Sequence, residues 1–362
     1  MREMGRNAVS KKQMTKKQLR RRKQRNSRIL LFVLGFLIIG LLWLGVLLMA
    51  DRWNNKTEKS TQDPASQENV AQEDASGGED VDTQTSEPTP TEEPEVLPTV
   101  DLNAINSKSA ILLRLSDMSV IAEKDADTRI YPASMTKIMT AVVGLENLSD
   151  LNQLIPVDRD TYDRLYVEGA SMAGFTPGEQ VKAIDMLYGV MLPSGAECCV
   201  GLAEFLFGSE AAFVEKMNEK AQSLGMANTH FVTSTGLHDT EHYTTVRDLS
   251  ILLQYALTNE TFRTIYCAHE YTTSPTTSNP SGLHFLSTMF KKMNSSEVNG
   301  GQIEGGKTGY TNEAGQCLAS LAKIHDTEYI LVTAGAPGSP STEPYHILDA
   351  QNIYNQLGST AS

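Results

Sequence analysis

Between Ile29 and Ala50 the chain reads ILLFVLGFLIIGLLWLGVLLMA, with no charged residue anywhere in the run. About 20 consecutive apolar residues match the hydrocarbon core of a bilayer, where a backbone without water must close its own hydrogen bonds as a helix. The run is longer than the roughly 7–15 apolar residues of a cleaved secretory signal. Asp51-Arg52-Trp53 stands where such a signal would carry small residues. Upstream the chain is strongly basic: Lys11, Lys12, Lys16, Lys17, Arg20, Arg21, Arg22, Lys23, Arg25 and Arg28. The positive-inside rule sets residues 1–28 in the cytoplasm, 29–50 as a single transmembrane helix, and everything later outside the cell. In that setting the basic arm is a topology signal lying on anionic lipid, not a nucleic-acid contact.

The net charge of -13 hides this division. Residues 51–98 are rich in Asp, Glu, Ser, Thr, Gln and Pro, a composition that cannot bury enough apolar surface to offset its ordering entropy. They read as a disordered acidic linker, with a coil reach on the order of 40 Å that like charges extend. From residue 99 to 362 the composition is globular. The four cysteines, Cys198, Cys199, Cys267 and Cys317, show no metal-ligand spacing and read as small buried side chains, in a domain large enough not to need disulfides.

Within the globular part, Ala110–Leu115 and Ser119–Glu123 read as strands around a turn, and Ser134–Leu148 has helical apolar spacing. Ile184–Leu192 and Glu197–Leu206 are apolar helical stretches flanking Pro193-Ser194-Gly195. Ser209 is a natural N-cap for a helix closed by Gly225, and Thr245 with Asp248 forms a capping-box-like pair before Leu249–Leu257. Gln316–Ile324 and Glu328–Ala334 read as strands and Pro344–Leu357 as a last helix. Strands at both ends with helices between predict an α+β fold: one antiparallel sheet built from early and late strands, flanked by helices, with a helical subdomain.

Three short motifs carry chemistry. In Ser134-Met135-Thr136-Lys137, a helix starting at Ser134 puts Lys137 on the same face. Serine is a weak nucleophile that needs an adjacent base, and a lysine serves once burial or a second cation lowers its pKa. A second match, Ser320-Leu321-Ala322-Lys323, falls in a predicted strand, where i and i+3 face opposite ways. Lys307-Thr308-Gly309, also strand-like, offers a lysine and a hydroxyl for an anionic group, and Gly305, Gly306 and Gly309 permit close backbone approach. Ser194-Gly195-Ala196, between two apolar helices, offers a serine for proton relay; alone it would be an ordinary interhelix turn.

Taken together and in this order, these motifs resemble the low-molecular-mass penicillin-binding proteins, the serine D-Ala-D-Ala carboxypeptidases of peptidase family S11, which share a fold with class A β-lactamases. The resemblance covers about residues 100–358. It rests on Pro132-Ala133-Ser134 with Thr136-Lys137, on Lys307-Thr308-Gly309 with Tyr310-Thr311 and Ala314-Gly315, and on Gly236-Leu237, His242-Tyr243 and Asp248. It implies a β-lactamase/transpeptidase-like fold in a bacterial membrane protein, acting outside the cell on peptidoglycan stem peptides ending in D-Ala-D-Ala. β-Lactam antibiotics are the implied covalent inhibitors. By the same resemblance, Ser134 would form the acyl-enzyme with Lys137 as its general base. Ser194 would join Ser134 to Lys307 in a proton network. Lys307 and Thr308 would engage the terminal carboxylate with Gly309 beside them, and the Ser134 and Tyr310 backbone N–H groups would form the oxyanion hole. No metal and no cofactor are implied.

Two positions depart from the family. Its middle motif ends in Asn, where this chain has Ala196, a change expected to weaken acyl-side binding or to shift substrate preference. No arginine follows Arg263, so carboxylate binding is expected to lean on Lys307, and the N-terminal helix replaces a C-terminal anchor. Other chemistries fit less well. Glu343-Pro344-Tyr345-His346 has the spacing of a zinc pair without its partner motif, and Ser134 with His238, His242 and Asp239 would make a triad only if His238 and His242 did not structure their loop. A β-lactamase needs a deacylating Glu in a Glu-x-x-Leu-Asn loop that the chain lacks. A transpeptidase or endopeptidase differs only in its acyl acceptor, and a non-catalytic wall-binding or regulatory homologue is the reading in which Ala196 marks lost activity.

Overall fold

The structure of the protein is a computed structural model, and it describes residues 98–360. The expected cytoplasmic arm, the transmembrane helix and all of the acidic linker but its last residue lie outside the described residues. Among the described residues, no helix is long and apolar enough to cross a membrane.

The chain opens with β1 (Ser109–Arg114) and β2 (Val120–Lys124), then a tight 3-10 turn, Ala133–Thr136, that runs into α1 (Lys137–Asn147). A helical section follows: β3 (Leu154–Pro156), α2 (Arg159–Val167), β4 (Gln180–Lys182), α3 (Ala183–Met191), α4 (Ala196–Phe207) and α5 (Glu210–Ser223). After it come α6 (Val246–Leu257), α7 (Glu260–Tyr266) and the hairpin β5 (Glu270–Thr272) and β6 (His284–Leu286). The chain closes with β7 (Glu297–Val298), β8 (Gly301–Thr311), β9 (Gly315–Ile324), β10 (Thr327–Ala336) and α8 (Tyr345–Thr360).

The main sheet runs β2-β1-β10-β9-β8-β7, antiparallel throughout, so the first strands pair with the last as the sequence predicts. Successive side chains on a strand face opposite ways. Ile111 and Leu113, Cys317, Ala319 and Leu321, and Ile330, Val332 and Ala334 therefore face the large helical core. Their neighbours Ala110 and Leu112, Leu318 and Ala322, and Tyr329 and Leu331 face a second core closed by Ile347, Ile353, Tyr354 and Leu357 of α8. Burial on both faces explains why β9 and β10 read as nearly unbroken apolar runs.

The predicted caps hold, with one difference. Ser209 accepts the Ala212 N–H at 3.2 Å, and Gly225 closes that helix at φ +78. Thr245 Oγ1 accepts the Asp248 N–H at 3.0 Å, but the Asp248 carboxylate does not return the contact. It accepts instead from Asn228 N and Thr229 Oγ1 at 2.9 and 2.7 Å, tying a distant loop to α6. The expected helix start also shifts: Ser134 lies in the 3-10 turn, and the α-helix starts at Lys137. Cys198, Cys199 and Cys317 are buried; Cys267 is only half-buried, and all four are free thiols.

Candidate active site

Ser134 sits where the 3-10 turn meets α1. In a 3-10 turn residues i and i+3 eclipse, so the pairing expected of a full helix survives the change of geometry. Lys137 Nζ lies 3.1 Å from Ser134 Oγ and donates to the Thr235 carbonyl at 2.6 Å. The lysine is 2% exposed, and this burial pushes its pKa below the ordinary lysine value against the pull of Cys199 and Glu197.

Three contacts fix the turn. Gly236, at φ +79, passes so close that a Cβ there would fall 1.9 Å from the Ala133 carbonyl oxygen. Gly309 of β8 approaches from the other side: its Cβ would lie 2.9 Å from the Pro132 oxygen and 3.2 Å from the Ser134 nitrogen. Both positions therefore require glycine. Below, His242 Nδ1 accepts the Val232 N–H at 3.0 Å, which leaves Nε2 as the donor to Thr136 Oγ1 at 2.8 Å. Burial pushes this imidazole down to about 4, so it is neutral at physiological pH.

The second lysine faces the first from the sheet. Lys307 is fully buried, and its Nζ donates to Ser194 Oγ at 3.0 Å and to the Thr308 carbonyl at 3.1 Å. Burial, and then the charge of Lys137, hold Lys307 well below the usual lysine value. Ser194 lies in the α3–α4 connection at φ +68, an unusual backbone for a residue with a Cβ. It is not a helix cap: Gly195 takes that place, and its side-chain-free N-terminus makes no capping bond. Thr308 Oγ1 lies 2.8 Å from Thr288 Oγ1, and the Tyr310 hydroxyl donates to Asn312 Oδ1 at 2.9 Å. All the motif residues thus meet around one site: Ser134 and Lys137 on one wall, Ser194 on another, and Lys307 to Tyr310 along β8.

The other candidate residues go elsewhere. Ser320 is buried against the Tyr354 hydroxyl at 3.1 Å, while Lys323, on the opposite face of β9, pairs with Asp326 at 3.1 Å. Asp239 accepts the Glu241 N–H at 2.7 Å, and His238 stacks edge-on against Tyr131, so neither joins Ser134 in a triad. His346 Nδ1 bonds Gln316 Oε1 at 2.6 Å. Ala196 is 1% exposed and packs with Leu165 and Val200, beneath Ala170, Met172 and Leu237. The Thr235 carbonyl and Thr288 had no signal in the local sequence, because each meets the site only through long-range packing.

A serine paired with a buried lysine is thus faced across the site by a second buried lysine on the sheet. The chain belongs to the D-alanyl-D-alanine carboxypeptidase family, peptidase S11, whose family model matches residues 95–338. The Bacillus subtilis (strain 168) carboxypeptidase DacF is 34% identical over 234 residues, covering 64% of this chain and 58% of the relative. DacC of Escherichia coli (strain K12) is 33% identical over 250 residues, covering 66% of this chain and 58% of the relative. The match thus spans less than two thirds of these relatives' own length. The crystal structure of the Streptomyces K15 DD-transpeptidase superposes with TM-score 0.63 at 28% identity, covering 73% of this chain and 100% of that one.

Proposed function

We propose that this domain is a penicillin-sensitive serine D-Ala-D-Ala carboxypeptidase that removes the terminal D-Ala from peptidoglycan stem peptides. One observation carries the reading: Lys137 and Lys307, both buried and both pushed toward the neutral form, each contact a serine hydroxyl of the same site. Neutral Lys137 takes the Ser134 proton as Oγ attacks the penultimate carbonyl carbon. The backbone N–H groups of Ser134 and Tyr310 receive the negative oxygen, and Lys307 with Thr308 holds the terminal carboxylate. As the C–N bond breaks, the proton passes through Lys137 and Ser194 to the departing amine. Water then attacks the ester, and the proton it loses returns to Ser134.

In the same reading residues 29–50 anchor the protein as a single-pass helix with 1–28 inside the cell. The 51–98 linker then carries the catalytic domain outward to the wall. The test is labelling of the detergent-solubilised full chain with a fluorescent penicillin, followed by mass spectrometry of the adduct. A stable one-to-one adduct on Ser134 is the expected result. No adduct from folded protein would favour a non-catalytic wall-binding role, and rapid penicillin turnover a β-lactamase.

A further inference from the structure

Glu197, the second residue of α4, takes no part in the steps above, yet it is a glutamate only 1% exposed. Its Oε1 accepts two backbone N–H groups, from Ala173 at 2.7 Å and Gly174 at 2.9 Å. Its Oε2 is buried and has no hydrogen-bond partner among the described residues. Burial pushes the carboxyl pKa upward, against the backbone N–H groups that favour its charged form. A buried polar atom left unsatisfied persists where some other gain offsets it.

The surroundings show where that gain lies. Gly195 is wedged between Glu197 and the gripped segment: a Cβ on it would fall 2.6 Å from Ala173 Cβ and 3.1 Å from Glu197 Oε2. The Ala196 N–H donates to the Ser171 carbonyl and the Gly195 N–H to the Gly189 carbonyl, each at 2.8 Å. Residues 171–174 are therefore strapped against the Ser194-Gly195 turn from several sides. Ser194 holds its left-handed φ of +68 inside this clamp. A residue with a Cβ stays in that region only when its surroundings over-determine it.

We infer that Glu197 is a positioning residue for acyl transfer: by gripping the Ala173 and Gly174 amides it locks the turn that aims the Ser194 hydroxyl at Lys307. The inference rests on the acyl-transfer reading proposed above. Glu197 acts through Ser194: its hydrogen bonds go to the Ala173 and Gly174 amides, not to Ser134 or Lys137.

The experiment is a double-mutant cycle of Glu197→Ala with Ser194→Ala in the full chain, reading the second-order rate of penicillin acylation per folded molecule. Wild-type labelling at Ser134 comes first; its absence would sink the acyl-transfer reading itself, and this inference with it. Given labelling, Glu197→Ala is expected to slow acylation about tenfold or more in the Ser194 background and less than about threefold in the Ser194→Ala background. Glu197→Gln, whose amide oxygen can accept the same two N–H groups, is expected to recover most of the lost rate. An equal penalty in both backgrounds, or a loss below about threefold with Ser194 present, would show that Glu197 does not work through Ser194. If Glu197→Ala does not fold, Glu197→Asp, one methylene short of both amides, is judged by the same two thresholds.

Discussion

Gly309 runs so close to Ser134 that a Cβ on the glycine would lie 3.2 Å from the serine nitrogen. The strand and the nucleophile turn are thereby set at a separation that admits a backbone and nothing larger. Gly309→Ala forces β8 away from the turn, because the Pro132 oxygen that it meets at 2.9 Å is itself backbone and cannot swing aside. Overpacking of this kind costs about 1–3 kcal/mol. The expected outcome is a lower melting temperature together with acylation slowed by about tenfold or more, since small displacements of reacting groups are costly. Unchanged acylation would mean that the strand does not set the position of Ser134.

Lys137 supplies a pH signature. Its folded pKa lies below the ordinary lysine value, so the neutral base appears as pH rises through that lowered pKa. The acylation rate is therefore expected to climb with pH on its acid side in a stopped-flow profile. Lys137→Ala removes the climb and lowers the rate by on the order of 10²–10⁴. A profile of the same shape in the variant would assign the base elsewhere.

His242 links stability to acid. Its folded pKa of about 4 lies below its unfolded value of 6.5, so the unfolded chain binds more protons between those two values. The contribution is fully present above pH 6.5 and is lost as pH falls toward 4. The difference amounts to about 3 kcal/mol. His346, buried and likewise pushed down to about 4, adds a loss of the same sign. Melting temperature measured between pH 7.5 and 4.5 should fall less steeply in His242→Gln than in the parent. Parallel curves would contradict the burial of a neutral ring beneath Thr136.

At Ala196 the structure changes what the sequence alone would suggest. Restoring the family asparagine looks helpful on paper, but the methyl group is enclosed by Leu165, Val200, Met172 and Leu237. An amide there would be desolvated without a partner, at a cost of about 1–3 kcal/mol. Ala196→Asn is expected to lower the melting temperature by several degrees and to leave penicillin acylation no faster. Faster acylation at unchanged stability would show that the apolar cluster opens to make room.

Most of the architecture was legible because it rests on local rules. Nearly unbroken apolar runs marked β9 and β10, helical apolar spacing marked α1, and Ser209, Gly225 and Thr245 marked their helix ends by cap chemistry. The elements that escaped were α2, α7, the edge strand β7 and the small β3–β4 and β5–β6 pairs. They are short, and α2 is mostly polar, so neither apolar periodicity nor length set them apart from loop. The 3-10 start at Ser134 escaped for a different reason: the turn is shaped by Gly236 and Gly309, which press on it from distant parts of the chain.

By itself, the sequence determined the identity and order of the candidate site groups. A serine three residues before a lysine, a lysine on a strand and a serine between two helices are composition and spacing, and those survive any detail of packing. Only the tertiary structure decided what those groups can do. Lys137 and Lys307 are separated by most of the domain in sequence, and it is the loss of water around each that pushes both pKa values down. That loss exists only when the sheet and the helical subdomain close on each other. The same closure turned Ala196 from a missing side chain into part of a packed apolar wall, and Glu197 from a charged neighbour into the clamp beneath Ser194. Spacing along a chain specifies which atoms are available; desolvation and long-range contact fix their pKa values and their aim.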